Sequence, residues 1–326
     1  MSLTPSRCLL LLLTAALAWH VSAKAEAASP RLTVTTNAGG ARVMIDGELF
    51  CGYLKRSGTK PVLWPVIGPG GEPFTRSYPV GEAQPHEQLD HVHHRSLWFG
   101  YEGINGVDFW HEPEFERSRP LPIGSVLHRE FVRADSDGLV ATLATRNDYR
   151  DPAGRVVAHD QRLFRFGLDG DSRWIDCKLS LWSSDGPLVL GDTKEGAFAM
   201  RVPGAMKVDE KLGGKFVSSN GDQNDDAWGK PAKWVDYSGP VGDRTAGIAI
   251  FAHPSSYHPE PCWHVRSYGL FAANPFGRKP YNQTGQGGYR SEKGGPVTLR
   301  YRVLLHPGDM EHAELSAAFE RFASND

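Results

Sequence analysis

The chain is 326 residues long and carries 36 Gly and 23 Pro, a density of turn formers that excludes a helical bundle or a coiled coil. Its 36 Lys and Arg stand against 38 Asp and Glu, a net charge of −2. No long run of one sign occurs, so a nucleic-acid or anionic-membrane partner has no electrostatic footprint.

The chain opens with Arg7 ahead of an apolar run, Cys8 to Ala18, that includes five consecutive leucines. Ala23-Lys24-Ala25 and Ala25-Glu26-Ala27 follow. This is the layout of a secretory signal peptide over residues 1–27, cut after Ala27, so the product is expected to be secreted or periplasmic. The run is shorter than the roughly 20 residues of a membrane span, and no later stretch is longer, so no transmembrane anchor is expected in the mature chain. Residues 28–326 are expected to form a single β-sandwich domain. Cys51, Cys177 and Cys262 remain, an odd number whose disulfide pairing the sequence leaves open. Gly68-Pro-Gly-Gly71 lacks the Gly-Lys-Ser/Thr of a phosphate loop, and no G-x-S-x-G or C-x-x-C occurs.

Five of the thirteen histidines fall between His86 and His111. In an extended chain His91 and His93 point one way and His94 the other, about 7 Å separating residues i and i+2. Two such imidazoles suit one metal or one substrate group, and Arg95 adds a planar donor fork. Asp108 and Trp110 are expected on a second strand, with Trp98 and Trp110 as flat apolar faces. A surface or structural role is the alternative for any one histidine. The cluster as a whole points to function, because burying several imidazoles and an arginine costs desolvation.

From Gly124 to Ser183 the pattern is a meander, with strands at Val126–Arg133, Leu139–Tyr149, Arg155–Leu168 and Arg173–Trp182. Asp-Gly and Pro-x-Gly turns separate them. Cys177 shares an apolar face with Ile175, Leu179 and Leu181. Glu195 precedes the next strand, Gly196–Val202, and is the general-base candidate. Strands are then expected at Ala232–Tyr237, Thr245–Ala252, Cys262–Ala273 and Val297–His306. On the third of these, His264, Arg266 and Tyr268 would share a face, with Trp263 on the other and Asn274 at the end. Leu315, Ala318, Phe319 and Phe322 form the stripe of a final helix that Asp309 can cap. The fold class is therefore all-β, a large antiparallel sandwich with one C-terminal helix.

Pro61-Val-Leu-Trp-Pro-Val-Ile-Gly-Pro-Gly-Gly71, Asp90-His-Val-His-His-Arg-Ser-Leu-Trp-Phe99 and Asn105-Gly-Val-Asp-Phe-Trp110 resemble a family of exported bacterial proteins. So do Asp192-Thr-Lys-Glu-Gly196 and the segment from Trp263 to Phe276. That family is labelled PmoA-like, or "methane oxygenase PmoA", and is also described as a domain of unknown function. A membrane methane monooxygenase subunit is built from spanning helices, so its activity is not carried over to this chain. The resemblance implies a component of bacterial sugar degradation with an architecture similar to the galactose-mutarotase supersandwich. It further implies His93 or His94 with His264 as acid and Glu195 or Asp108 as base. Arg95 and Arg266 would hold an anionic or hydroxyl-rich group, with Tyr268, Trp98, Trp110, Trp263 and Asn274 lining the substrate.

Three functional readings follow. The first is a carbohydrate epimerase, lyase or hydrolase acting on a small-molecule or oligosaccharide substrate without a cofactor. The second is a metal-dependent, oxygenase-like enzyme with a divalent metal on His91, His93 and His264 or His128. The third is a non-catalytic glycan-binding sandwich in which Trp98, Trp110 and Trp263 are stacking platforms. Oligomeric state is not encoded in any motif.

Overall fold

A computed structural model describes Met1 and residues 31–113, 118–311 and 313–325; the leader expected over 1–27 lies, Met1 apart, outside them. Two antiparallel sheets face each other. The first runs in the order β1 (Leu32–Thr36), β2 (Gly40–Ile45), β3 (Glu48–Ser57), β4 (Lys60–Val66), β5 (Leu97–Ile104), β12 (Gly196–Arg201), β17 (Leu270–Asn274) and β16 (Cys262–Val265). The short strands β6 (Val107–Asp108), β11 (Leu188–Leu190) and β18 (Tyr289–Ser291) attach at its side. The second sheet runs β13 (Lys215–Ser218), β14 (Trp234–Val241), β15 (Arg244–Ala252), β19 (Val297–Pro307), β10 (Ser172–Ser183), β9 (Val156–Asp169), β8 (Ala141–Arg150) and β7 (Ser125–Ser136).

The meander from β7 to β10 forms where the turns predict it, with Gly170 (φ 57°) supplying the left-handed residue of the β9–β10 hairpin. Alternation then sorts the side chains. Ile175, Cys177, Leu179 and Leu181 of β10 meet Leu97, Phe99 and Tyr101 of β5 in the inter-sheet core, together with Phe198, Phe271 and Trp263. All three described cysteines are buried and free, so no disulfide joins them.

The helix α1 (Leu315–Ala323) buries the expected stripe, packing Leu315, Ala318, Phe319 and Phe322 on Trp234, Ala249, Phe251 and Leu304 of the second sheet's outer face. Asp309 is not its cap. Glu314 holds the N-cap position without a side-chain bond, and Asp309 pairs with Lys215 Nζ at 3.1 Å. No described helix is long and apolar enough to cross a membrane.

Two strand expectations fail. Cys262–Ala273 is a hairpin and not one strand, because Gly269 (φ 96°) turns the chain between β16 and β17. The histidine segment before β5 is a loop; His91 and Ser96 adopt left-handed backbone there (φ 43° and 59°), which breaks the extended parity assumed for His91, His93 and His94.

Candidate functional site on the outer face of the first sheet

Side chains that do not enter the inter-sheet core emerge on the far side of the first sheet. The register aligns Trp98 of β5 with Ala199 of β12, Ala199 with Ala272 of β17, and Ala272 with His264 of β16. A row across four strands thus begins with an indole and ends with an imidazole, with two alanines between. The small residues leave room for rings above the sheet, and Val62, Trp98, Trp110, Ala199, Leu270 and Ala272 form a separate apolar cluster there, with Tyr268 packed on it.

The loop carrying the histidines is held down by Arg76. Its buried guanidinium donates to the carbonyls of Gln88 (3.2 Å), Asp90 (3.0 Å), His91 (2.9 Å) and His94 (3.1 Å), and to Asp90 Oδ1 (2.7 Å). Asp90 also accepts from Arg201 Nη2 (3.0 Å) and from His91 Nδ1 (2.7 Å). Burial opposes its charge, but the bond from His91 and the charges of Arg201 and Arg76 hold the Asp90 carboxyl well below the usual carboxylate range. Arg201 Nη1 donates to His94 Nδ1 at 3.0 Å, which places the proton of the neutral ring on Nε2. Burial, joined by the charges of neighbouring histidines, keeps His93 and His94 neutral, far below the ordinary imidazole pKa.

The rings form a continuous stack. His91 lies parallel to Tyr268 (5.1 Å between centroids) and to His94 (4.8 Å), and His94 stacks on Trp98 (5.5 Å). His93 meets His94 edge-on at 4.4 Å and lies tilted against His111 at 4.8 Å. The buried indole N–H groups of Trp98 and Trp110 have no acceptor among the described residues. Arg201 and Arg266 both lie over the Tyr268 ring, at 4.9 and 5.7 Å.

At the other end of the row, His264 Nδ1 donates to the Lys194 carbonyl at 3.0 Å, fixing the tautomer and leaving Nε2 as an acceptor. Burial, with the positive charges of Lys194, Arg266 and His91 nearby, lowers its pKa to about 3. Glu195 follows directly in sequence, its carboxylate 4.0 Å from Lys194 Nζ and 15 % exposed. Asn274 builds this corner. It donates to the Thr193 carbonyl (2.9 Å) and the Tyr281 hydroxyl (3.2 Å), and its Oδ1 accepts from the N–H groups of Phe276 and Gly277. With all these bonds internal, Asn274 shapes the loop and does not face a ligand.

Asp108 is buried and committed. Its Oδ1 accepts from the backbone N–H of Trp110 (2.8 Å) and His111 (3.0 Å), and its Oδ2 from His111 Nδ1 (2.7 Å). Burial raises its pKa, yet these bonds prevail and hold it below the usual range. Glu102, its register partner across β5 and β6, accepts from Thr193 Oγ1 at 2.7 Å. Glu102, Asp108 and His111 offer ligand atoms within 4.8 Å of one another. The metal sets built on His91, His93 and His264 or His128 do not converge in this way. His128 instead sits on β7, its Nδ1 3.0 Å from the Tyr53 hydroxyl of the inter-sheet side.

Two further expectations are corrected. Trp263 is wholly buried in the inter-sheet core with its indole N–H on the Ala232 carbonyl (3.0 Å), so it offers no stacking face. Arg95 is spent on a two-pronged pair with Glu112 (2.5 and 2.7 Å), near buried Lys60, whose pKa burial lowers to about 8. The arginine that reaches the histidines is Arg201, which the sequence reading missed along with Arg76, the roles of Asp90 and His111, and Trp228, whose ring lies 5.7 Å from the Arg266 guanidinium. Cavities of about 620 Å³, lined by Pro231, His258 and Phe319, and of about 400 Å³, lined by Phe74, Arg173 and Arg244, open elsewhere. Neither lining includes an imidazole bonded to a carboxylate or a carbonyl, so chemistry and not volume locates the site.

The pattern from β2 to α1 matches one protein family over residues 40–320. The chain belongs to DUF6807, a family of unknown function. That match carries no PmoA description. No curated protein sequence matches this DUF6807 member. Among solved structures it is similar to the galactosidase domain of an alpha-galactosidase-sucrose kinase, AgaSK, at 8 % identity and a TM-score of 0.37. The alignment covers 85 % of this chain and 41 % of that one, so the chain spans less than half its length.

Proposed function

We propose that this DUF6807 member is an exported enzyme that transforms a sugar derivative on the outer face of the first sheet. The observation that carries the reading is His264, an imidazole whose tautomer is fixed by the carbonyl of Lys194 (3.0 Å), the residue that precedes Glu195, with Tyr268 and His91 stacked nearby. Trp98 (2 % exposed) and Trp110 (0 %) are as buried as Trp263 and offer no stacking face either. The partly exposed rings of His91, Tyr268 and Trp228 suit the apolar side of a sugar ring, and fixed acceptors suit its hydroxyls. As base, Glu195 takes a proton from a sugar C–H and, once protonated, gives it to the departing oxygen, so that C–H and C–O bonds break as a C=C bond forms in an elimination. Epimerisation would need a second proton donor on the opposite face, and hydrolysis a water deprotonated by Glu195. His264 is neutral near pH 7, so here it orients a hydroxyl through Nε2 instead of serving as the acid. Time-resolved NMR against a panel of sugars and oligosaccharides tests this. Product formation lost in Glu195→Ala and His264→Ala, with the fold retained, is expected. Sugar binding without turnover across the panel would replace the enzyme with a binding module.

A metal-dependent reading draws on a different place, the convergence of Glu102, Asp108 and His111 within 4.8 Å. Two carboxylates and an imidazole suit a divalent cation such as zinc or manganese. Stoichiometric metal in natively purified protein, lost in Glu102→Gln and Asp108→Asn, would favour it over metal-free catalysis.

A further inference from the structure

The cations around the site outnumber their carboxylates. Arg76 and Arg201 share the single carboxylate of Asp90, and Lys194 has only Glu195, at 4.0 Å. Arg266 has none. Its guanidinium lies 5.7 Å from the centroids of both Trp228 and Tyr268, and among the described residues no carboxylate forms an ion pair with it. Asp225 and Asp226, on the turn before Trp228, do not pair with it either. Of these four cations Arg266 alone has no carboxylate in an ion pair, so a positive charge stands in excess at that position.

Arg266 is half-buried, which makes that excess costly. Two aromatic faces offset part of the cost through cation–π attraction. They also hold the guanidinium plane while leaving its fork of N–H donors unused. A preset, unspent fork matches the two oxygens of a carboxylate. Lys194, whose side chain is 48 % exposed, is a second cation on the same rim.

Resting on the carbohydrate reading above, we infer that the sugar this chain takes is an acidic one, a uronic or related sugar acid, whose carboxylate pairs with Arg266. Trp228 and Tyr268 are then positioning residues for the guanidinium. A bound carboxylate next to His264 would also reverse part of the positive field that depresses that imidazole.

Calorimetric titration of the full mature chain with matched pairs, D-glucose and D-glucuronate, then cellobiose and its uronic counterpart, tests the assignment. Glucose 6-phosphate is the third arm. The acidic partner is expected to bind at least about tenfold tighter, with the preference shrinking as salt rises. Arg266→Met should abolish the preference, read as the ratio of acidic to neutral affinity within each pair, and Arg266→Lys should restore only part of it. Equal affinity for the members of a pair, a preference that survives Arg266→Met, or a phosphate ester favoured over the uronate would each overturn the inference. Neutral sugars turned over by Glu195 without any acidic preference would sink this inference alone, whereas no sugar of either kind bound or turned over would sink the enzyme reading as well.

Discussion

The outer faces of the two sheets differ in how their polar groups are matched. On the second sheet, α1 lays four apolar side chains over Trp234, Ala249, Phe251 and Leu304, and the best-buried charges have partners of opposite sign, while the more peripheral Lys233 and Arg300 meet the Phe319 ring and neutral oxygens. Arg302 grips Asp176 with two bonds (2.6 and 2.9 Å), and His306 meets Asp236 at 2.9 Å. On the first sheet the cover is a loop of imidazoles, two arginines divide one carboxylate, and Arg266 has only aromatic faces. One-to-one pairing is what burial alone requires. A surplus of one sign, held rigidly, is where a structure is completed by something that binds.

The sharpest break of this comparison is chemical. Glu195→Ala should cut turnover by about 10²–10⁴-fold, the usual contribution of an acid–base group, and His264→Ala, which removes an orienting bond, by up to about 10²-fold, each leaving the thermal midpoint within a few degrees. Phe319→Ala should do the reverse. A large core truncation costs about 3–5 kcal/mol, visible as a lower urea midpoint, with affinity for any ligand of the first sheet unchanged.

Acid should separate the faces next. His264 titrates at about 3 in the fold, and His93 and His94 lie below the ordinary 6.5, so between roughly pH 6.5 and 3 the unfolded chain binds more protons than the native one. Stability from these rings is complete above pH 6.5 and falls as pH drops, by about 1.4 kcal/mol per unit for each imidazole. His264→Asn, which can still donate to the Lys194 carbonyl, should flatten that slope in urea titrations by one imidazole's share. An unchanged slope would mean that His264 is not held neutral. The smallest effect is expected from Trp263→Phe, about 1–2 kcal/mol for a lost hydrogen bond and some packing, with ligand affinity intact. A loss of affinity there would restore Trp263 as a stacking platform.

Much of the fold was legible because it is local. Asp-Gly turns and alternating runs delimit β7 to β10, and a 3.6-residue stripe delimits α1. The site was legible only in part. His93, His94 and Trp98 are dense enough to mark a place, and the Lys194 carbonyl ties His264 to the segment that carries Glu195. Parity failed for the loop, since a chain that bends at His91 and Ser96 has no fixed two-residue period. Arg201 was invisible for a different reason. It ends a strand of otherwise apolar residues, Gly196–Met200, and only the register of β12 beside β5 shows which face it takes. Arg95, adjacent to the histidines in sequence, is turned away by Glu112, seventeen positions on.

Arg76 reaches the loop mostly through backbone carbonyls, those of Gln88, Asp90, His91 and His94. Every residue type offers that group, so apart from Asp90 the clasp does not constrain which side chains the loop displays. Positions 86–94 other than Glu87 and Asp90, whose carboxylates also anchor the loop, can therefore diversify while their trajectory is preserved, provided Arg76 stays. Recognition can be retuned by substitutions in the loop, and the shape on which it depends is stored outside it.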